Sequence, residues 1–180
     1  LVTLGALLTL GVLSVGASSS SEMSHDDIHE VASEIYILPE GYTGRVGIIY
    51  NIETGQEPEY KKNTPVYRVG EDGFVLTKAA PPSHGGPAAF FYEDESGSLK
   101  HIKNQITTIK PEDVGKTPDE IYVFEGGLGY TGAPTRLDCK VYNKKHWVGT
   151  RQSIWNNVEK HYIIPYLVDN GIGCDVIATE

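Results

Sequence analysis

Gly127, Gly129 and Gly132 follow an apolar stretch, Ile121 to Glu125, at the spacing G-x-G-x-x-G. That pattern lets a backbone approach a pyrophosphate when a strand leads in and a helix opens at the last glycine, with an acidic residue about 20 positions on. Here Ala133-Pro134-Thr135-Arg136 leads into a second strand-like stretch, Leu137 to Tyr142, so a surface loop is expected instead. A kinase glycine loop fails as well, since neither the following Val nor a Val-Ala-Ile-Lys strand is present. His84-Gly85-Gly86 has the form of an esterase oxyanion loop, but no G-x-S-x-G nucleophile elbow accompanies it. His25 and His29, four positions apart, would share one helix face as a metal pair requires; with no third ligand identifiable, a solvated acidic tail is the expectation. His101, His146 and His161 read as surface or half-buried residues of strands and a helix. No catalytic residue, metal site or cofactor is implied.

Cys139 and Cys174 are the only cysteines. Behind an export signal an even pair is most simply one disulfide, and closing that loop would stabilise by about 3 to 4 kcal/mol in the chain-entropy model. No C-x-x-C supports a redox role. The signal itself is read from residues 1–17, which carry no charged residue, are rich in Leu and Val, and end in Val15-Gly16-Ala17. The run falls short of the roughly 20 residues a spanning helix needs, so cleavage is expected and no stable membrane span thereafter; a retained anchor is the competing reading. Residues 18–33 read as a linker, with one or two helical turns or none after Glu22, and residues 34–180 as a single domain. The chain points to an extracytoplasmic place: secreted, periplasmic or at the cell surface.

One hundred and eighty residues suffice for one ordinary core. Twenty Gly, ten Pro and eleven Tyr beside one Met favour short strands and many turns. A net charge of -9 without a basic cluster excludes a nucleic-acid partner.

The elements are then laid around the stretch Glu34 to Tyr50. An apolar run, Ile35 to Leu38, stops at Pro39, turns through Glu40 to Gly44 and resumes, predicting two strands joined at a corner. Alternation puts Val46, Ile48, Tyr50 and Ile52 on one face and Arg45, Gly47, Ile49 and Asn51 on the other. Gly70-Glu71-Asp72-Gly73 and Asp94-Glu95-Ser96-Gly97 predict two hairpins, separated by a Pro- and Gly-rich loop, Ala79 to Pro87. Ile154, Trp155, Val158 and Tyr162 recur at helical spacing, predicting one helix from Thr150 to Leu167 that Pro165 ends and that lays Trp155 and Tyr162 on the sheet. Gly173 to Thr179 reads as a last strand. The sum is a mainly β, two-layer sandwich with one C-terminal α-helix.

Ile37-Leu38-Pro39-Glu40-Gly41-Tyr42-Thr43-Gly44, Val46 to Tyr50, Tyr67-Arg68-Val69, Glu71-Asp72-Gly73 with Leu76-Thr77, and later Trp147-Val148-Gly149-Thr150 resemble a family of bacterial secreted and lipid-anchored envelope domains of unknown function. An Ile-Pro-x-Gly-Tyr-x-Gly-x-Val opening characterises it; the lipidation cysteine is missing here. The strand order is also similar to transthyretin-type sandwiches. The resemblance implies an envelope domain and transfers no catalytic residue. A non-enzymatic module that binds a protein or a surface glycan through its loops is therefore expected, with Tyr42 at the corner and Gly127, Gly129 and Tyr130 of the glycine-rich segment as its ligand surface. The alternative is a small extracytoplasmic hydrolase using dispersed carboxylates and His84 or His101.

Overall fold

The computed structural model describes residues 32–83, 85–131, 140–157 and 162–173. Within them two five-stranded mixed sheets pack face to face. The first has the order β3-β4-β1-β6-β7, from β1 (Glu34–Pro39), β3 (Glu59–Lys61), β4 (Thr64–Arg68), β6 (Ala88–Glu93) and β7 (Leu99–His101). The second has the order β5-β2-β10-β9-β8, from β2 (Gly44–Ile49), β5 (Phe74–Leu76), β8 (Gln105–Ile106), β9 (Tyr122–Thr131) and β10 (Val141–Gly149). Two short helices follow, α1 (Arg151–Asn157) and α2 (Ile163–Asp169), so the expected β-sandwich with a helical C-terminal part is present.

The corner after Pro39 carries the chain from one sheet to the other. Gly41 takes a left-handed φ of 71° and the Tyr42 N–H donates to the Pro39 carbonyl at 3.1 Å. The Asp72-Gly73 turn, expected to close a hairpin, makes the same crossing, because β4 lies beside β1 while β5 lies beside β2. Both pairs are parallel, with Ile35 opposite Val66 and Gly47 opposite Phe74. The two crossings are pressed together: a Cβ on Gly73, φ 83°, would lie 2.1 Å from the Arg45 carbonyl oxygen. Glycine is required there by contact as well as by φ. The Asp94–Gly97 turn does close the expected hairpin, pairing β6 with β7; the Asp94 carboxylate accepts the Ser96 and Ser98 N–H groups, both at 2.9 Å.

Alternation along β2 sends Val46, Ile48 and Tyr50 into the core between the sheets and Ile49 beneath the C-terminal helix. Asn51, at φ 58°, breaks the alternation, so Ile52 joins Ile49 rather than Tyr50. Both faces of the second sheet are thereby apolar, the outer one covered by Tyr162, Ile163 and Leu167. The single predicted helix is two. Pro165 does not end a helix but stands in the first turn of α2, where a missing N–H removes no helical bond. Tyr162 is buried as expected, its hydroxyl reaching the Val46 and His146 carbonyls at 3.2 and 3.1 Å, whereas Trp155 is 43% exposed.

The glycine-rich segment is strand, not loop. β9 runs through it, with Leu128 opposite Lys144, Gly129 opposite Asn143 and Tyr130 opposite Tyr142. Between Lys144 and His146 the register shifts, and the resulting bulge drives the Lys145 carbonyl oxygen to 2.0 Å from where a Gly126 Cβ would stand. A Cβ on Gly127 or Gly129 would meet nothing within 4 Å. Cys139, Cys174, His25, His29, His84, His161, the apolar N-terminal run and all but the first residue of the expected last strand lie outside the described residues.

The bulge makes a prediction. Gly126→Ala should lower unfolding stability by about 2 kcal/mol or more, since backbone must move, and Gly127→Ala by less than about 0.5 kcal/mol. Urea unfolding of the two variants checks it; equal effects would contradict this placement of the bulge.

Candidate functional site

Among the described residues, a dense group of chemically capable side chains lies between the sheets. Glu34, first residue of β1, is 1% exposed, and its parity with Tyr36 and Leu38 points it inward. Its Oε1 accepts the Tyr50 hydroxyl at 2.8 Å; its Oε2 accepts the Tyr36 hydroxyl at 2.9 Å and the Lys144 ammonium at 2.5 Å. Lys144 is 4% exposed, on the central strand of the opposite sheet. The tie therefore joins the two layers through residues 110 positions apart. Around it the Tyr36 ring stacks on Tyr67 and Phe90 at 5.7 and 4.8 Å. His146, two residues beyond Lys144, is wedged between Tyr36 and Phe90 at 5.2 and 5.0 Å. Among the described residues neither of its ring nitrogens has a hydrogen-bond partner.

Burial governs the electrostatics. Loss of solvent pushes the Tyr36, Tyr50 and Tyr67 hydroxyls well above their ordinary range, and the Glu34 charge adds to this. Burial also drives His146 from 6.5 down to about 3, helped by the Lys144 charge, so its ring is neutral at pH 7. Glu125, opposite His146 on β9, is raised by partial burial while Lys144 opposes the shift. The cluster is thus a neutralised internal charge inside an aromatic cage. Among the described residues no group of His, Cys, Asp and Glu is arranged to hold a metal ion.

The residues singled out from sequence do not converge. Tyr42 sits where β2 begins, near the Gly44–Val148 pair, while Tyr130 lies opposite Tyr142, about 20 Å away along β10 at roughly 3.3 Å per residue. The Tyr42 hydroxyl is spent on the Arg45 carbonyl at 2.5 Å. Nearby, Arg45, Asp72 and Tyr166 line a polar cavity of about 300 Å³; Tyr166 donates to Asp72, and burial raises its own hydroxyl to about 12. Tyr130 is 65% exposed, edge-on to Tyr142 with the Lys140 ammonium over its ring at 5.0 Å, beside the exposed Gly127 and Gly129. His101 packs its ring on Phe91 at 5.0 Å, and burial lowers its pKa.

Two adjoining depressions mark the outer side of the first sheet and share Ile37 and Arg68. One, about 250 Å³, is lined by Ile35, Val66, Leu99 and Tyr60, the last 64% exposed. The other, about 570 Å³, is rimmed by Glu40, Glu71, Glu93, Asp94 and Glu95. Arg68 bridges them, bonded to Glu59 at 3.2 Å and Glu93 at 2.6 Å.

Residues 30–132, more than half the sequence, match the model of a family of unknown function, DUF6843. The chain belongs to this family. The expected kinship with domains of unknown function holds at that level. Among solved structures the fold is similar to a "putative lipoprotein from Bacillus anthracis", with a TM-score of 0.52 and 13% identity over 78% of this chain and 92% of that one. At such identity the likeness speaks to the fold alone. No curated protein matches the sequence significantly. The segment matched to DUF6843 holds Glu34, Tyr36, Tyr50 and the groove; Lys144 and His146 lie beyond it, on β10.

Sequence reasoning did not find the Glu34–Lys144 pair. One signal was there: Glu34 has the parity of Tyr36 and Leu38, so a charge stood on the core face of a strand.

His146 yields a pH prediction. The unfolded chain binds its proton from about pH 6.5, the folded chain only near pH 3, so stability is full above 6.5 and is lost as pH falls through that window. Between pH 7 and 5 the loss from this group is about 2 kcal/mol, and His146→Leu should remove most of it. Urea unfolding at the two pH values reads the difference; an unchanged slope in the variant would contradict a neutral, buried His146.

Proposed function

We propose that this member of DUF6843 is an exported, envelope-associated module that binds rather than turns over its ligand. The observation that carries the reading is where the polar groups went. Glu34, Lys144 and His146 are enclosed in the core, whereas on the outer side of the first sheet the largely exposed Tyr60 and the half-buried Leu99 edge a depression whose floor is the buried Ile35, Ile37 and Val66. The apolar N-terminal run and the word "lipoprotein" in the name of the structural neighbour support an envelope location. Among the described residues no helix is long and apolar enough to cross a membrane. Residues 1–17 as signal, 18–33 as tether and the remainder as one domain fit the same reading.

The partner proposed is a protein segment that seats an apolar side chain beside Tyr60 and Leu99 and sets Lys or Arg against the Glu40, Glu71, Asp94 and Glu95 rim, which the chain's net charge of -9 reinforces. The exposed Tyr130, beside the bare backbone of Gly127 and Gly129, supports a second reading in which a sugar ring stacks there. Tyr42, its hydroxyl engaged on the Arg45 carbonyl, draws no support as a ligand donor from this arrangement. The hydrolase alternative draws little from His101, whose ring is committed to Phe91.

Fluorescence anisotropy with basic, amphipathic peptides tests the main reading. The wild-type domain should bind them in a salt-sensitive way, and Tyr60→Ala or Leu99→Asp should weaken binding at least about tenfold, as for a central contact, while Tyr130→Ala does not. Absence of binding by the wild type, or loss only on Tyr130→Ala, would overturn it.

A further inference from the structure

We propose that Glu34 and Lys144 condense into a side-chain amide, a covalent link between the two sheets. The reacting groups are already in contact: Lys144 Nζ lies 2.5 Å from Glu34 Oε2. Both side chains are almost wholly removed from water, at 5% and 1% exposure, so the product water would leave an apolar cage and hydrolysis would have to re-enter it. Strands β1 and β10 fix the two groups from opposite layers, which supplies the proximity that makes such a step effectively unimolecular.

The hydrogen bonds divide the carboxylate as the reaction needs. Tyr50 donates to Oε1, the oxygen that stays and gathers charge in the tetrahedral intermediate. Tyr36 donates to Oε2, the oxygen that departs. One ammonium proton passes to the carboxylate, Nζ attacks Cδ, and the second proton leaves Nζ with Oε2 as water. The Nζ–Cδ bond forms, the Cδ–Oε2 bond breaks, nothing is oxidised or reduced, and no co-reactant is consumed. Ammonium and carboxylate become a neutral amide and one water, which removes two charges from a site where desolvation penalises both. The link does not depend on the binding reading above.

Intact-mass spectrometry of the denatured protein, calculated for its measured N-terminus, tests it. The wild type should be one water lighter than its sequence mass, and digestion should release a branched peptide joining the Glu34 and Lys144 segments. Lys144→Arg should show the full mass, and Tyr50→Phe should slow the loss by about a hundredfold, as for removal of an oxyanion donor. Because the masses are read after denaturation, a folding defect in a variant leaves the wild-type result decisive. A wild type at full mass whose Lys144 is acetylated on denaturation would overturn the proposal.

Discussion

A carboxylate cannot enter an apolar core alone, and Glu34 sets the terms on which this sandwich closes. Taking its charge out of water costs several kcal/mol, which only a partner of opposite charge and a full set of donors can offset. The fold supplies them from three strands: Tyr36 from β1, Tyr50 just past the end of β2, and Lys144 from β10. β10 lies between β2 and β9, so the strand that brings the lysine also completes the middle of the second sheet. Until it is in place, β2 and β9 have no partner between them and Glu34 has no counter-charge. One strand thus supplies both the middle of the second sheet and the counter-charge for Glu34.

The same geometry explains the two crossings. The passage after Pro39 and the passage through Asp72-Gly73 lie side by side, so β4 and β5 follow β1 and β2 in parallel, one pair in each layer. Tyr42 closes the first passage on the Arg45 carbonyl, and Gly73 lets the second approach that carbonyl. Because these connections are held by packing and backbone bonds, little of their polar capacity is left for a ligand. The outer side of the first sheet is different. Ile35 and Ile37, of opposite parity to Tyr36 and Leu38, are buried there with Val66, Ala89 and Phe91, while Tyr60 stands largely in solvent and five carboxylates border the adjoining depression.

Local features were legible in the sequence because their causes are local. Pro39, Gly41 and Gly44 announce the corner, and Asp94 with Gly97 announces the β6–β7 hairpin. What failed was decided by residues far away. The Asp72-Gly73 turn has hairpin chemistry, yet the strands it joins find better partners in separate sheets. The strand-like stretch expected to end at Tyr142 runs on as β10 to Gly149, and Lys144 is buried in it because Glu34, 110 positions earlier, accepts its ammonium. The glycines from Gly126 to Gly129 suggested a loop; a bulge in the neighbouring strand requires one of them, and the strand pairs on through the others. Pro165 looked like a stop because a helix end and a helix start both tolerate proline. Tyr130 is exposed, but nothing in its sequence neighbours showed that it stands at the opposite end of the sheet from Tyr42.

A double-mutant cycle on Glu34→Leu and Lys144→Met, read by urea unfolding, tests most directly whether this pair holds the layers together. Each single change should cost about 3 to 5 kcal/mol, because it leaves the other charge buried without its partner, and the double variant should cost at least about 2 kcal/mol less than the sum. Single effects that are small and add to within about 0.5 kcal/mol would contradict the placement of Glu34 and Lys144 against one another at the centre of the fold.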